Sequence, residues 1–163
     1  MNVTGLILKL LLGVLVAWPV ILLVTVAKND LPLFEPPGPW ARLKVYLGTN
    51  VAATRPDHPW PEMRGIVLDG LAPGQARERV VAAIARLGWE TVDAGPVDRI
   101  HAVVTTRWLR FRDDLEIALS AVAGGTRVDV RSASRVGRSD MGTNARHILD
   151  LLDELRARDD GTR

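Results

Sequence analysis

Cysteine is absent from the 163 residues, which excludes a disulfide frame, a thiolate zinc site and a thiol for lipid attachment. Any membrane anchor must therefore be peptide. A surplus of one charge sign is lacking too: 21 Lys and Arg stand against 19 Asp and Glu, a net charge of +2, with the signs interspersed. So weak a field excludes nucleic-acid binding as the default role, and the pI near 9.5 reflects only a small arginine excess. The chain has no glycine-rich phosphate loop, no His-Glu-x-x-His, no Gly-x-Ser-x-Gly elbow and no zinc-finger spacing. Its three histidines stand apart: His58 is in a proline loop, His101 is on a strand without a second ligand beside it, and His147 is expected on the polar flank of the last helix. No metal and no cofactor is expected.

What the chain does have begins with an anchor. Leu10 to Ala27, between Lys9 and Lys28, carries no charge, and the apolar stretch reaches back to Gly5. At 1.5 Å per residue it spans about 30 Å of hydrocarbon. It is longer than the apolar core of a cleaved signal peptide, so residues 1–29 are expected to remain as one transmembrane helix, in which Pro19 produces a mild kink or marks a neighbour. Lys9 and the amine precede it and Lys28, Arg42 and Lys44 follow, so the charges alone leave its orientation open.

Residues 30–61 hold Pro32, Pro36, Pro37, Pro39, Pro56, Pro59 and Pro61, which argues for an extended juxtamembrane connector. Phe34, Trp40 and Tyr46, with Trp18, Lys9 and Lys28, are the expected membrane-interface residues, because amphipathic rings and cations settle at headgroup depth. Trp40, Leu43, Leu47 and Val51 fall at helical spacing and allow a short interfacial helix. The alternative is that these rings fold back onto the domain.

The remaining stretch, 62–157, has room for one small core, and 158–163 reads as a disordered tail. A strand near Gly65 to Leu68 precedes a helix over 73–87 that Gly88 closes. Strands at 89–94 and 99–106 follow, then a long hairpin. A turn at Gly124-Gly125 places Leu119 opposite Val130, Ala121 opposite Val128 and Asp114 opposite Arg135, with Glu116 diagonal to Arg131. Met141, Ala145, Ile148, Leu152 and Leu155 form the apolar stripe of a last helix over 140–157. The expected fold is a two-layer α+β domain, an antiparallel sheet of four or five strands with both helices on one face.

The stretch from Val130 to Asn144 concentrates the candidate site. Arg131, Arg135 and Arg138 are expected to converge on Ser139 and Asp140, the candidate caps of the last helix, with Asn144 beside them. Such a group could bind an anion, a lipid headgroup or a partner's carboxylate. In the competing reading Asp114, Glu116, Arg131 and Arg135 form structural ion pairs. Adjacent Asp113 and Asp114 point to opposite faces and cannot act together. Ser139 and His147 are roughly 12 Å apart on a helix, too far for a triad with Asp140.

Two stretches carry a resemblance: Thr106-Arg107-Trp108-Leu109-Arg110-Phe111-Arg112-Asp113-Asp114-Leu115-Glu116 and Val130-Arg131-Ser132-Ala133-Ser134-Arg135-Val136-Gly137-Arg138-Ser139-Asp140-Met141-Gly142-Thr143-Asn144. In these the chain resembles the bacterial and chloroplast family called domain of unknown function 1499. The family resembled has a Cys-Pro-x-x-Pro-x-Cys-like segment where this chain has Val51 to Pro61, without cysteine. Its members look like membrane-anchored or exported proteins, which implies a single-pass protein of the inner (cytoplasmic) membrane with a periplasmic domain.

The expected function is thus a non-catalytic, membrane-tethered interaction or accessory protein. Its partners would be the bilayer and a membrane-protein complex. The alternatives are an anion or lipid-headgroup module at the Arg131 to Asp140 loop and, more weakly, a hydrolase of unknown substrate.

Overall fold

Twenty-six residues with hardly a polar side chain form the first element, the helix α1 (Val3–Lys28) with Pro19 inside it. Its stretch Val3–Ile21 is long and apolar enough to cross a membrane, and none of it is buried against the rest of the chain. An uncovered apolar helix of this length needs an apolar surrounding. The computed structural model describes residues 3–93, 95–107 and 110–157. The side chains of Trp18 and Trp108 and the expected tail 158–163 lie outside the described residues.

Helix α2 (Pro39–Gly48) starts on a proline, and strand β1 (Val51–Ala53) follows it. A single 3-10 turn, Pro61–Met63, leads into β2 (Ile66–Asp69). Then come α3 (Pro73–Arg86), β3 (Glu90–Asp93), β4 (Arg99–Thr105), β5 (Arg112–Val122), β6 (Gly125–Ser134) and α4 (Thr143–Ala157). The six strands make one antiparallel sheet in the order β1-β6-β5-β4-β3, with β2 on β6 as well. Strands β1 and β2 share one edge of β6 end to end, β1 along Arg131 to Ala133 and β2 along Gly125 to Val128. The segment 51–69, proline-rich by composition, thus supplies an edge to the sheet.

Alternation along β5 and β6 decides which side is covered. Asp113, Leu115, Ile117 and Leu119, with Thr126, Val128, Val130 and Ser132, are buried under α3 and α4. The neighbours between them form an open face that is mostly charged. Helix α3 contributes Ala76, Val80, Ala83 and Ile84 and α4 contributes Ala145, Ile148, Leu151, Leu152 and Leu155. Gly88 ends α3 with φ +72°. There the Trp89 amide bonds to the Ile84 carbonyl at 3.1 Å and the Gly88 amide to the Ala85 carbonyl at 3.0 Å. That is the left-handed cap glycine provides at least cost.

The hairpin register differs from the expected one by two residues. Leu119 faces Val128, Ala121 faces Thr126 and Glu116 faces Arg131 directly, while Asp114 opposes Ala133. Val122 pairs with Gly125, so the turn is Ala123-Gly124. Gly125 is a strand residue because β2 lies so close that a Cβ there would sit 2.2 Å from the Leu68 carbonyl oxygen. An even shift keeps every side chain on its expected face.

Candidate functional site

The three arginines of the basic stretch do not converge. Strand β6 runs on to Ser134, so alternation turns Arg131 and Arg135 onto the open face. There Arg135 grips Asp114 through two bonds, Nε to Oδ2 at 2.8 Å and Nη2 to Oδ1 at 2.7 Å. His101 Nε2 lies 3.0 Å from Asp114 Oδ1. The Arg135 hydrogen bonds, with that of His101 and against the effect of burial, pull the Asp114 carboxyl down to about 2. Arg131 Nη1 is 3.6 Å from Glu116 Oε1. Two of the three arginines are therefore matched on the sheet surface. Arg138 is exposed and has no side-chain partner among the described residues.

Ser139, Asp140 and Asn144 belong to the opposite, inner side. The Asp140 carboxylate accepts the amides of Gly142 and Asn144, each at 2.9 Å, so it occupies the donors at the start of α4. The Ser139 hydroxyl donates to the Tyr46 carbonyl at 3.2 Å. Asn144, fully buried, accepts from the Ser132 hydroxyl at 2.5 Å. Its amide nitrogen donates to Ser134 Oγ and to the Asn50 carbonyl, both at 2.8 Å. One side chain thereby ties α4, β6 and the entry to β1.

His147 is not the surface residue its position beside Arg146 suggests. It is buried, its Nε2 lies 3.0 Å from Asp113 Oδ2, and its ring meets Trp89 edge-on at 5.7 Å. Asp113 is deeper still, and its Oδ1 has no hydrogen-bond partner among the described residues. Adjacent aspartates thus hold one histidine on each face of the sheet, His147 inside and His101 outside. Neither forms a triad among the described residues, because the Ser132 and Ser139 hydroxyls are bonded to Asn144 and the Tyr46 carbonyl. No group of three or more metal-ligating side chains occurs among the described residues.

The open face carries a hollow of about 360 Å³ lined by Ala53, Arg99, His101, Glu116, Asp129 and Arg131, among others. Small side chains, Ala53 and Ala118, leave the space, and charged ones border it. Sequence reasoning missed Ala53, Arg99 and Asp129, because their proximity depends on β1 joining β6 and on the β4-β5 register. A smaller hollow of about 250 Å³ includes Tyr46, Arg55, His58, Trp60 and Asp140. There His58, half-buried rather than exposed, accepts the Trp60 amide on Nδ1 at 3.0 Å, and desolvation lowers its pKa.

Residues 46–155 match the family described as a protein of unknown function, DUF1499. The chain belongs to the DUF1499 family. No curated protein and no solved structure matches it. The DUF1499 match begins inside α2 and ends near the close of α4, so α1 and the turns after it lie outside the matched region.

Those outer residues are nevertheless clamped to the DUF1499 domain. Asn29, just past α1, donates from Nδ2 to the Met141 carbonyl at 3.0 Å and to Thr143 Oγ1 at 3.3 Å. Leu31 is buried against Gly142, where a Cβ would lie 2.3 Å from Leu31 Cδ1. Arg42, fully buried, pairs with Glu62, donates to the Glu35 and Pro36 carbonyls at 3.0 and 2.8 Å, and lies 4.5 Å from the Trp60 ring centre. Burial disfavours its charge, and the Glu62 and Tyr46 hydrogen bonds outweigh that, so its pKa is raised. Of the expected interface rings, Tyr46 is buried with Trp60, whereas Phe34 and Trp40 are exposed.

Proposed function

We propose that this chain is a non-catalytic, membrane-tethered interaction protein of the inner (cytoplasmic) membrane, with its DUF1499 domain on the periplasmic side. Its partner would be another protein of the same membrane, contacted through the open sheet face. The observation that carries this reading is the clamp of Asn29, Leu31 and Arg42, which folds what composition suggests is an extended connector into a fixed mount on the domain. A mount of that kind serves to hold a surface at a set height above a bilayer. The surface so held has alternating arginines and carboxylates around a hollow, a pattern that suits a partner segment of mixed charge.

The orientation is supported by Lys9 standing directly before the long uncharged run Leu10 to Ala27, the layout of a signal anchor. With no native cysteine, Phe111→Cys provides a unique label site on an exposed side chain. An impermeant maleimide should label it in cells whose outer membrane is opened. Labelling only after lysis would reverse the orientation.

The partner is tested by solubilising membranes in mild detergent and crosslinking before purification. A stoichiometric companion that is an integral membrane protein is expected. A monomer without a companion, or a companion that washes off as a soluble protein, would contradict the proposal. The anion-binding alternative retains one supporting observation, the unpartnered Arg138, against an Asp140 carboxylate already seated on the helix donors. No observation favours a hydrolase.

A further inference from the structure

Helix α2 is inside out for a helix on a water-facing surface. Its cation Arg42 and its Tyr46 hydroxyl point into the protein, at 0% and 4% exposure, while Trp40 stands 84% exposed and Val45 and Leu47 on the same helix are exposed too. Phe34, in the turn before, is 88% exposed. A surface helix ordinarily buries such residues and turns its arginine outward. Lys44 is also exposed, so the outer face combines an aromatic ring, aliphatic side chains and one flexible cation. That is the composition of a helix lying in a headgroup region.

We propose that Phe34, Trp40, Val45 and Leu47 form a foot embedded in the headgroup region of the bilayer that α1 crosses. The proposal rests on the reading of α1 as a membrane span. Position argues for lipid over any other occupant. Only residues 29–38 separate α1 from α2, and the start of that segment and α2 itself meet the same loop. Asn29 bonds to Met141 and Thr143, and Leu31 and Tyr46 both lie against Gly142. Helix α2 is thus anchored on the same loop as the residues that follow α1. The buried Arg42 fixes its rotation about its own axis, so the apolar face cannot turn back into the domain.

The foot gives the domain a second contact with the bilayer and so sets its tilt. Strand β6 rises from Ser134, beside the loop that α1 grips, to the hairpin tip at Gly124, roughly 30 Å away at 3.3 Å per residue. The tip and the loop that meets α2 lie at opposite ends of β6.

The cysteine-free chain makes the test direct. Full-length single-cysteine variants Leu15→Cys, Phe34→Cys, Trp40→Cys and Val122→Cys are labelled with an environment-sensitive fluorophore. They are then reconstituted in vesicles of phosphatidylethanolamine and phosphatidylglycerol. Iodide reports water access, and lipids carrying quenchers at the headgroup or deep in the chains report depth. The Leu15 probe is expected to be quenched from deep in the chains. The probes at 34 and 40 should be quenched from the headgroup, with iodide quenching several-fold weaker than at 122.

A deep Leu15 probe with iodide access at 34 and 40 equal to that at 122 overturns the foot and leaves the span standing. A Leu15 probe in water overturns both. Shielding at 34 and 40 in native membranes but not in pure lipid would show that a protein covers this face, and would also overturn the proposal.

Discussion

Asn144 is the residue with the most to lose. Its carboxamide satisfies two serine hydroxyls and a backbone carbonyl in a site without water access, and a buried polar group left unpaired costs about 1 to 3 kcal/mol. Asn144→Ala should lower stability by about 3 kcal/mol, seen as a lower urea midpoint with an unchanged slope. A loss within the range of ordinary surface changes would show that the network is not needed. Arg138→Ala, by contrast, removes no contact and should shift stability by less than about 0.5 kcal/mol, while Arg135→Ala should destabilise measurably. If Arg138→Ala also leaves binding to anionic vesicles unchanged, the anion site fails and the Val130 to Asn144 stretch is a fold signature. Asp114 adds a pH signature. Its native carboxyl titrates at about 2 and an unfolded one near about 4, so its contribution is complete above about 4 and is lost as pH falls through about 2. Acid titration of wild type and Asp114→Asn should converge at the bottom of that window; curves that stay parallel would show that Asp114 is not stabilised in the fold.

The elements themselves were largely legible in the sequence. An unbroken apolar run marked α1, hydrophobic period marked α3 and α4, alternation marked β4 to β6, and Gly88 marked the end of α3, because each of these depends on neighbours within a turn or a strand. The parts that were not legible depend on distant segments. The hairpin register puts Gly125 in β6 against β2, where a Cβ would meet the Leu68 carbonyl, and the entry of β1 into the sheet goes with Asn50 and Thr54 bonding β6. His147 is inside because Asp113, thirty-four residues earlier in sequence, faces α4. Gly142 tests the clamp at the same scale. It holds φ +85° with Leu31 and Tyr46 packed on it, and an L-residue there costs about 1 to 2 kcal/mol before any clash. Gly142→Ala should destabilise by about 2 to 3 kcal/mol and make the Asn29 to Pro39 segment cleavable by protease in detergent. Unaltered cleavage would mean that Leu31 moves aside at no cost to the mount.

At the scale of the whole molecule, we propose that a fixed mount presents one sheet face to a membrane partner. The covered face is consumed by α3 and α4, so the charged side with its hollow is the sheet face left open. The most direct measurement places a photo-crosslinking residue at Ser120 or Ala118 on the open face, and at Glu78 on the exposed side of α3 as a control, in full-length protein in native membranes. One discrete adduct with an integral membrane protein is expected from the open-face positions and none from Glu78. Equal adducts from both faces, or none from any position, would contradict this proposal.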